Sequence, residues 1–291
     1  MPIVKTALVL TGGGSLGAVQ VGMLQALVEA EVVFDLVVGA SVGAINGAYF
    51  AARPNAKGVS ELADFWRSLR KSDVFPFSAF DTLKGILNRR GHLLSASALH
   101  RLVRRSLPVE LIEETELPLH IVTTNLLSGA EELLSKGSAE QALLASAAIP
   151  LVFPSVRVGE KFLVDGGVTS NTPIASAVAL GATRVVVLPT GFGCACPCPP
   201  TGLVALALHT LNLMSMRQLV RDIELYKARA AIHVVPPLCP LDASVFDFNQ
   251  TDQLLQRAYQ STQAWIEEGG LIRDGIPDSL LAHTHHHLAD D

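Results

Sequence analysis

The stretch Leu36-Val37-Val38-Gly39-Ala40-Ser41-Val42-Gly43 places a serine between two glycines at the end of an apolar run. A helix-like segment, residues 42–52, follows it directly. This strand–serine–helix pattern is typical of a nucleophile elbow, a strained turn that lifts the hydroxyl out of the sheet edge. The glycines give clearance, because side chains there would clash where the strand and the helix approach each other. A serine also needs a base to take its proton, so the pattern directs attention to the rest of the chain.

A second strand–loop–helix unit precedes the elbow. Residues 5–11 read as a buried strand, Gly12-Gly13-Gly14 as a turn, and residues 16–30 as a helix with apolar helical spacing. Further strands are predicted at 120–127, 131–135, 162–165, 185–188 and 232–235, and further helices at 59–69, 97–107, 139–148, 173–181, 203–230 and 252–268. This alternation predicts an α/β fold with a parallel sheet and crossover helices.

Composition narrows the class of protein. The chain has 291 residues, of which 49% are hydrophobic, and this length can bury a full core in one or two domains. Its net charge of −5 argues against bulk nucleic-acid binding. The N-terminal apolar run is too short for a signal peptide, and residues 203–216 fall short of the roughly 20 residues of a membrane span. We therefore expect a soluble, cytoplasmic protein.

Cysteines and histidines form two small clusters. Cys194, Cys196 and Cys198 alternate with other residues, which is not the usual two-residue gap of a zinc knuckle. We interpret them as thiols of a surface loop in a reducing compartment, with a metal or redox role as the alternative. A metal role for the histidines of the polar tail, residues 283–291, is interpreted as incidental. No cofactor and no metal are therefore expected.

Basic residues concentrate in one part of the chain. Residues 53–105 contain 11 of the 22 Lys and Arg but only four acids. Within them, residues 70–95 interleave Phe75, Phe77 and Phe80 with Lys71, Lys84, Arg89 and Arg90. One interpretation is a lid-like excursion, through which residues 71–105 make peripheral contact with an anionic membrane surface. The alternative is a core-covering excursion whose phenylalanines pack inward.

The glycine loop allows two functional interpretations. Gly12, Gly14 and Gly17 satisfy the dinucleotide-binding pattern G-x-G-x-x-G, with Asp35 about twenty residues later. However, a ribose-binding acid should end the second strand, whereas Asp35 precedes it. Together with Ser41 on the neighbouring strand, the backbone N–H groups of Gly12, Gly13 and Gly14 are better interpreted as an oxyanion hole.

The chain offers two kinds of base for Ser41. An ordinary α/β-hydrolase would use a late histidine, but His209 lies in a helical apolar run and His233 within a strand, and both are interpreted as structural. Asp165 instead ends a strand, and two glycines follow it. We expect its carboxylate to lie within hydrogen-bond distance of the Ser41 hydroxyl, in a partly desolvated site that raises its pKa.

The ordered set Gly12-Gly13-Gly14-x-x-Gly17, Gly39-x-Ser41-x-Gly43 and Asp165-Gly166-Gly167 resembles the patatin-like phospholipase family, of bacterial type. Residues 145–154 and Asn171-Thr172-Pro173 resemble further blocks of that family. The resemblance implies a three-layer α/β/α fold and a single hydrolase domain over residues 1–282, with its motif-bearing core at about 5–190. It also implies calcium-independent lipid acyl hydrolysis by a dyad of Ser41 and Asp165 without histidine, and a lipid or ester as substrate.

One departure from the family and two alternatives to hydrolysis stay open. The family usually carries Arg or Lys where this chain has Leu16, a difference that bears on head-group contact and loop support but not on the backbone donors. The same dyad would serve an acyltransferase, in which an alcohol replaces water. A lipid-binding protein with little turnover is the alternative from a different class. The sequence predicts neither the acyl-chain length, nor the head group, nor the oligomeric state.

Overall fold

The computed structural model describes residues 4–74, 97–191, 201–241 and 247–281, and the elements below are numbered within these ranges. The strands are β1 (Thr6–Leu10), β2 (Leu36–Ala40), β3 (Leu119–Asn125), β4 (Glu131–Leu134), β5 (Val156–Val158), β6 (Lys161–Asp165), β7 (Arg184–Leu188) and β8 (Ala231–Val234). The helices are α1 (Gly17–Glu29), α2 (Val42–Ala52), α3 (Ala56–Ser68), α4 (Lys71–Val74), α5 (Ser97–Ser106), α6 (Ala139–Ser146), α7 (Gly167–Ser170), α8 (Ile174–Ala179), α9 (Leu203–Tyr226) and α10 (Thr251–Glu267).

All these strands belong to one sheet, in which pairing runs β5-β6-β3-β2-β1-β7-β8 and β4 also pairs with β3. Four pairs are parallel: β3 with β2, β2 with β1, β1 with β7, and β7 with β8. Three pairs are antiparallel: β3 with β4, β3 with β6, and β5 with β6. Every residue of β1 and β2 is buried, as expected for parallel strands covered on both faces. The predicted mostly parallel sheet is confirmed.

The sheet separates two apolar cores. Leu8 and Leu10 of β1 face a layer that contains α1, α2, α3, α5, α6 and α10. Ala7 and Val9 of the same strand face the other layer, which contains α8 and the second half of α9. Side chains alternate between the two faces of a strand, so one strand serves both cores. The result is the expected three-layer α/β/α arrangement.

Two local predictions need correction. Residues 71–74 lie outside the predicted helices, in the lid-like excursion, but form the short helix α4, whose Val74 is buried. β5 and the four-residue helix α7 were not predicted, because elements this short show no periodic pattern; β5 pairs with β6 through Val158 and Lys161. The remaining predicted elements form with their ends shifted by up to four residues.

A chain of buried side-chain amides ties three helices to the sheet. The Gln20 side chain donates to the carbonyl oxygens of Thr11 and Leu188, both at 2.9 Å. Asn46 donates to the Gln20 side chain at 2.9 Å, and the Trp66 indole N–H donates to Asn46 at 2.8 Å. These bonds span α1, α2 and α3 and reach the carboxyl ends of β1 and β7. They fix the helix that follows the glycine loop, because each buried polar group has a defined partner.

Strands β2 and β6 meet end to end on one edge of β3. β4 pairs with Ile121 to Thr124 of β3, so it occupies one edge of that strand. β2 pairs up to Ala40 with Val122, and β6 pairs from Asp165 with Thr123, so both occupy the opposite edge. The carboxyl ends of β2 and β6 therefore face each other across two consecutive residues of β3.

Candidate active site

Ser41 lies in a strained turn between β2 and α2. Its backbone has φ 54° and ψ −126°, a conformation that non-glycine residues rarely adopt. A Cβ atom on Gly39 would lie 2.5 Å from the Gly43 carbonyl oxygen, and one on Gly43 would lie 2.4 Å from the Leu10 carbonyl oxygen. The glycines on either side of Ser41 thus provide the predicted clearance, and the turn has the conformation of a nucleophile elbow.

The Asp165 carboxylate, at the end of β6, is hydrogen-bonded to Ser41. The Ser41 hydroxyl donates to Oδ2 at 2.6 Å, and the Gly167 backbone N–H donates to Oδ1 at 2.7 Å. Burial raises the pKa of Asp165 from 3.8 to about 6, and these two hydrogen bonds offset part of the rise. The carboxylate is therefore a better proton acceptor at neutral pH than an exposed aspartate, while staying mainly ionised.

Ser146, at the end of α6, joins the elbow to β3. Its hydroxyl accepts a hydrogen bond from the Ser41 backbone N–H at 2.9 Å and donates one to the Val122 carbonyl oxygen at 2.7 Å. Its backbone carbonyl also accepts from the Gly166 N–H at 3.2 Å. Ser146 is fully buried and contacts both sides of the junction where β2 and β6 meet.

The glycine loop follows β1, next to β2, and its backbone is held from two sides. The Gly12 N–H donates to Asn171 Oδ1 at 3.2 Å, and Thr190 donates its hydroxyl to the Gly12 carbonyl oxygen at 2.8 Å. Gly14 has a φ of 60°, which glycine adopts without strain. Among the described hydrogen bonds, none uses the N–H of Gly13 or Gly14 as donor. Gly13 and Gly14 both line a cavity that Ser41 also lines.

Two cavities meet at Ser41, and both are also lined by Gly14 and Ile149. The first, which we call the mixed cavity, holds about 680 Å³ of empty space that includes solvent at its opening. Its other lining residues are Gly12, Gly13, Pro150, Asp165, Gly167, Val168, Asn171, Leu208, Leu211, Asn212 and Ser215. It therefore presents the Asp165 carboxylate and several polar side chains beside the Ser41 hydroxyl.

The second cavity, which we call the apolar cavity, holds about 500 Å³ on the same basis. Its other lining residues are Val42, Ile45, Phe65, Trp66, Leu69, Val74, Leu99, Leu102, Ala147, Phe153 and Phe248. Apart from Ser41 this lining offers a ligand almost only hydrocarbon and aromatic surface.

The histidines considered as bases do not line the cavities at Ser41. His233 is buried in β8, with its Nδ1 3.2 Å from the Arg273 carbonyl oxygen. Of the histidines that the structure describes, none lines either cavity, and His209 of α9 is half-buried. Their interpretation as structural residues agrees with this placement.

The position of Asp35 also argues against the alternative of dinucleotide binding, which would need an acidic side chain near the glycine loop. The Asp35 carboxylate accepts a hydrogen bond from the Thr6 N–H at 2.6 Å, at the amino end of β1. It is therefore at the opposite end of the strands from Gly12 to Gly14.

Leu16, where a basic residue is usual in the resembled family, is fully buried in the apolar core.

Several predictions fall outside the described residues. These are the lid-like Phe75, Phe77 and Phe80 with Lys84, Arg89 and Arg90, the cysteines Cys194, Cys196 and Cys198, and the tail 283–291. Within the predicted membrane-contact segment 71–105, the described Arg104 pairs with Glu140 at 2.8 Å. The described part of the chain contains no cluster of three or more metal-ligating side chains. No helix in it is long and apolar enough to cross a membrane.

Sequence reasoning missed two residues of this site. Ser146 and Asn171 both lie in blocks that resembled the patatin-like family, but neither was assigned a role. Their function depends on partners 105 and 159 positions away in the chain, Ser41 and Gly12 respectively. A buried polar residue within an otherwise apolar block, as Ser146 is within 142–149, is the signal that could have drawn attention to it.

The architecture is thus that of a three-layer α/β/α protein with a hydrogen-bonded Ser–Asp pair between two cavities. Residues 8–178, more than half of the chain, match the family model described as patatin-like phospholipase, and the chain belongs to this family. The resemblance inferred from the sequence motifs is confirmed.

Curated relatives are similar along nearly the whole chain. An uncharacterised NTE family protein of Mycobacterium tuberculosis is 29% identical over 89% of this chain and 46% of its own length. Human patatin-like phospholipase domain-containing protein 6 is 27% identical over 94% of this chain and 21% of its own. Lysophospholipase nte1 of Aspergillus oryzae is 24% identical over 91% of this chain and 18% of its own length. The chain spans less than half the length of these relatives.

Among solved structures, VipD from Legionella pneumophila matches with a TM-score of 0.49 and 17% identity, over 92% of this chain and 67% of that one. Human GIVD cytosolic phospholipase A2 matches with a TM-score of 0.49 and 11% identity, over 92% and 62% of the two chains.

Proposed function

We propose that this protein is a lipid acyl hydrolase that cleaves carboxylic esters through an acyl intermediate on Ser41, with Asp165 as the base. The observation that carries the proposal is the 2.6 Å hydrogen bond from the Ser41 hydroxyl to the Asp165 carboxylate. This bond lies at the meeting point of two cavities, at the end of a strained turn that presents the hydroxyl. Membership in the patatin-like phospholipase family supports a lipid substrate.

In the acylation step, Ser41 Oγ attacks the ester carbonyl carbon while its proton passes to Asp165 Oδ2. The carbonyl oxygen becomes an oxyanion, which accepts hydrogen bonds from the N–H groups of Gly13 and Gly14. Gly12 supports the loop instead, since its own N–H already donates to Asn171. Preorganised donors of this kind are typically worth about 2.7–4 kcal/mol each in the transition state.

Collapse of the tetrahedral intermediate breaks the bond to the leaving alcohol, and the proton held by Asp165 goes to that alcohol oxygen. In the second half of the reaction, Asp165 takes a proton from water, and the hydroxide attacks the acyl-Ser41 carbonyl. The proton then returns to Ser41 Oγ as the fatty acid leaves. One carboxylate thus serves as base and acid in turn, which a pKa of about 6 allows near neutral pH.

The two cavities suggest how a lipid ester lies across Ser41. The apolar cavity offers almost no polar group, so it suits the acyl chain. The mixed cavity contains Asn212 and Ser215 beside the dyad, so it suits the alcohol half of the ester. Phospholipids and lysophospholipids have this division into an apolar and a polar half. We include calcium independence in the proposal, because the nucleophile, base and oxyanion donors all come from the chain.

Release of p-nitrophenol from butyrate and longer esters in EDTA tests the proposal. Wild type should be active, and Ser41→Ala and Asp165→Asn should each lose activity by about 10³-fold or more while staying folded. A fluorophosphonate should label wild type but not Ser41→Ala. An active Asp165→Asn variant, together with an inactive His209→Ala or His233→Ala variant, would replace the dyad by a histidine-dependent mechanism.

The second candidate is acyl transfer, favoured by the polar side chains of the mixed cavity, where an acceptor alcohol could replace water. Adding a lysolipid or glycerol to the ester assay distinguishes the two. An acyltransferase would form the new ester in preference to free fatty acid, whereas a hydrolase would release fatty acid regardless of the acceptor.

A further inference from the structure

The first half of α9 lies between the mixed cavity and solvent. Residues 203–216 contain no charged side chain. One face of this segment lines the mixed cavity, through Leu208, Leu211, Asn212 and Ser215. The helix is therefore part of the wall of the candidate active site, and what its other face contacts bears directly on how a substrate arrives.

The other face exposes large apolar side chains. Leu206, Leu213 and Met214 are 50%, 53% and 63% exposed. Their spacing of seven and eight residues places them on one side of the helix. At the same cavity, Val168 is also exposed, and Leu151, which follows the lining residue Pro150, is half exposed. Exposed apolar residues thus recur around the opening of the site.

Two cations continue this face. Arg217 and Arg221 follow Leu213 at intervals of four residues, so they lie on the same side one and two turns farther along, and both are exposed. Within the described residues, Arg217 forms no salt bridge. An uncharged apolar stretch followed by arginines on one helix face is typical of helices that lie in a membrane interface.

We propose that the α9 face, defined as Leu206, Leu213, Met214, Arg217 and Arg221, docks on the surface of an anionic phospholipid bilayer. Leu206, Leu213 and Met214 enter the acyl boundary, and the two arginines bind lipid phosphates. The proposal rests on the proposed function, because it brings the mixed cavity next to the lipid that the enzyme would cleave. It assigns membrane contact to a different part of the chain from residues 71–105.

Charge and position favour a bilayer over a protein partner. Residues 203–216 are uncharged, and the first charges that follow them on this face are Arg217 and Arg221, which match an anionic lipid surface; Glu224 farther along pairs with Lys227 of the same helix. The chain itself carries a net charge of −5, so the arginines are a local exception to its overall charge.

Sedimentation with vesicles of phosphatidylcholine and phosphatidylglycerol tests the proposal. Wild type should bind, and a Leu213→Ser/Met214→Ser double variant should bind about tenfold or more weakly, because it loses the apolar area that enters the bilayer. Arg217→Glu should weaken binding to these vesicles but not to vesicles of phosphatidylcholine alone, and salt should reduce the difference. Val33→Ser is the matched control, since Val33 is 78% exposed but precedes β2, at the end of the sheet opposite the glycine loop. It should bind as wild type does.

Melting temperatures establish that each variant is folded. Equal vesicle binding by wild type and the folded double variant overturns the docking proposal, as does a wild type that binds no vesicle. A change of oligomeric state in the double variant, without a change in vesicle binding, also overturns it and assigns the face to a protein contact. Vesicle binding that depends on α9, in a protein that hydrolyses no ester, would support docking and refute the proposed function, so the two failures are distinct.

Discussion

The backbone N–H of Ser41 donates to the hydroxyl of Ser146 at 2.9 Å, although the two residues are 105 positions apart. The same hydroxyl donates to the Val122 carbonyl oxygen at 2.7 Å. Ser146 thereby satisfies two backbone groups at the junction of β2, β3 and β6 and holds the elbow on the sheet. We infer that it is a positioning residue, acting on the reaction through the backbone of Ser41.

Replacing Ser146 by alanine should therefore affect both stability and turnover. The buried Ser41 N–H and Val122 carbonyl would lose their partner, at a cost of about 1–3 kcal/mol in the free energy of unfolding. Because the elbow would relax, we expect kcat on a soluble ester to fall about tenfold or more, with little change in KM. Urea unfolding and steady-state kinetics measure the two effects.

Thr262→Ala is the matched control for Ser146→Ala. The Thr262 hydroxyl is buried too, but it donates to the Ala258 carbonyl oxygen within its own helix, α10. This variant should lose stability without losing kcat. If Ser146→Ala behaves in the same way, Ser146 has only a structural role.

The pKa of Asp165 predicts the acid limb of the pH profile. The carboxylate must be ionised to accept the Ser41 proton, and burial raises its pKa to about 6. We expect kcat/KM for a soluble ester to be constant above about pH 7 and to fall about tenfold per pH unit well below 6. Far-ultraviolet circular dichroism at each pH controls for acid unfolding. A profile that stays flat down to pH 4.5 would remove Asp165 from the role of base.

The same buried carboxylate should make the protein less stable than its amide variant. Because the folded-state pKa lies above the unfolded value of 3.8, the native state holds more protons between pH 4 and 6, and stability falls as the pH rises through this range. Asp165→Asn removes this penalty. We expect its free energy of unfolding at pH 8 to exceed that of wild type, by an amount on the order of 1–3 kcal/mol.

At pH 4 this difference should shrink to below about 1 kcal/mol, since the carboxyl is then neutral in the folded state and partly protonated in the unfolded state. Urea unfolding at pH 8 and at pH 4 measures it. An Asn variant that is less stable than wild type at pH 8 would mean that the hydrogen bonds to Ser41 and Gly167 outweigh the desolvation of the charge.

Filling the apolar cavity should change the preference for acyl-chain length. Leu102 lines that cavity, and tryptophan in its place would occupy space that a long acyl chain needs. We expect Leu102→Trp to lower kcat/KM for p-nitrophenyl octanoate about tenfold more than for the acetate. Leu208→Trp, in the mixed cavity, is the comparison: it should discriminate between leaving groups of different size rather than between chain lengths. Equal effects of both variants on all acyl chains would contradict this division.

Local sequence patterns predicted most of the fold. α2 was predicted over residues 42–52, the bounds that it has; Ser41 precedes it, and Arg53, which stands before Pro54, is disfavoured in a helix. The parallel pairing of β1 with β2, which brings the glycine loop next to Ser41, followed from the order of strands and helices. By contrast, β5 has three half-buried or exposed residues and no periodic pattern.

The contacts that organise the site could not be predicted in the same way. That Asn171 accepts from Gly12, and that Ser146 accepts from Ser41, depends on how distant segments pack rather than on local spacing. The lid-like role of residues 70–95 and the domain extent of 1–282 stay predictions. Motifs identified which residue types meet at the site, but only the packed sheet shows which of them share hydrogen bonds.

Asp165 pairs with Thr123 of β3, and Ala40, the residue before Ser41, pairs with the neighbouring Val122. The distance between the nucleophile and the base therefore depends on the register of β2 and β6 against β3. Side chains alternate between the faces of a strand, so a slip of β6 by one residue would turn the Asp165 carboxylate to the opposite face of the sheet. Insertions in the segments that connect β2, β3 and β6 need not alter this register. The site can therefore acquire new surroundings with its dyad intact, and a register error would abolish the dyad outright rather than weaken it by degrees.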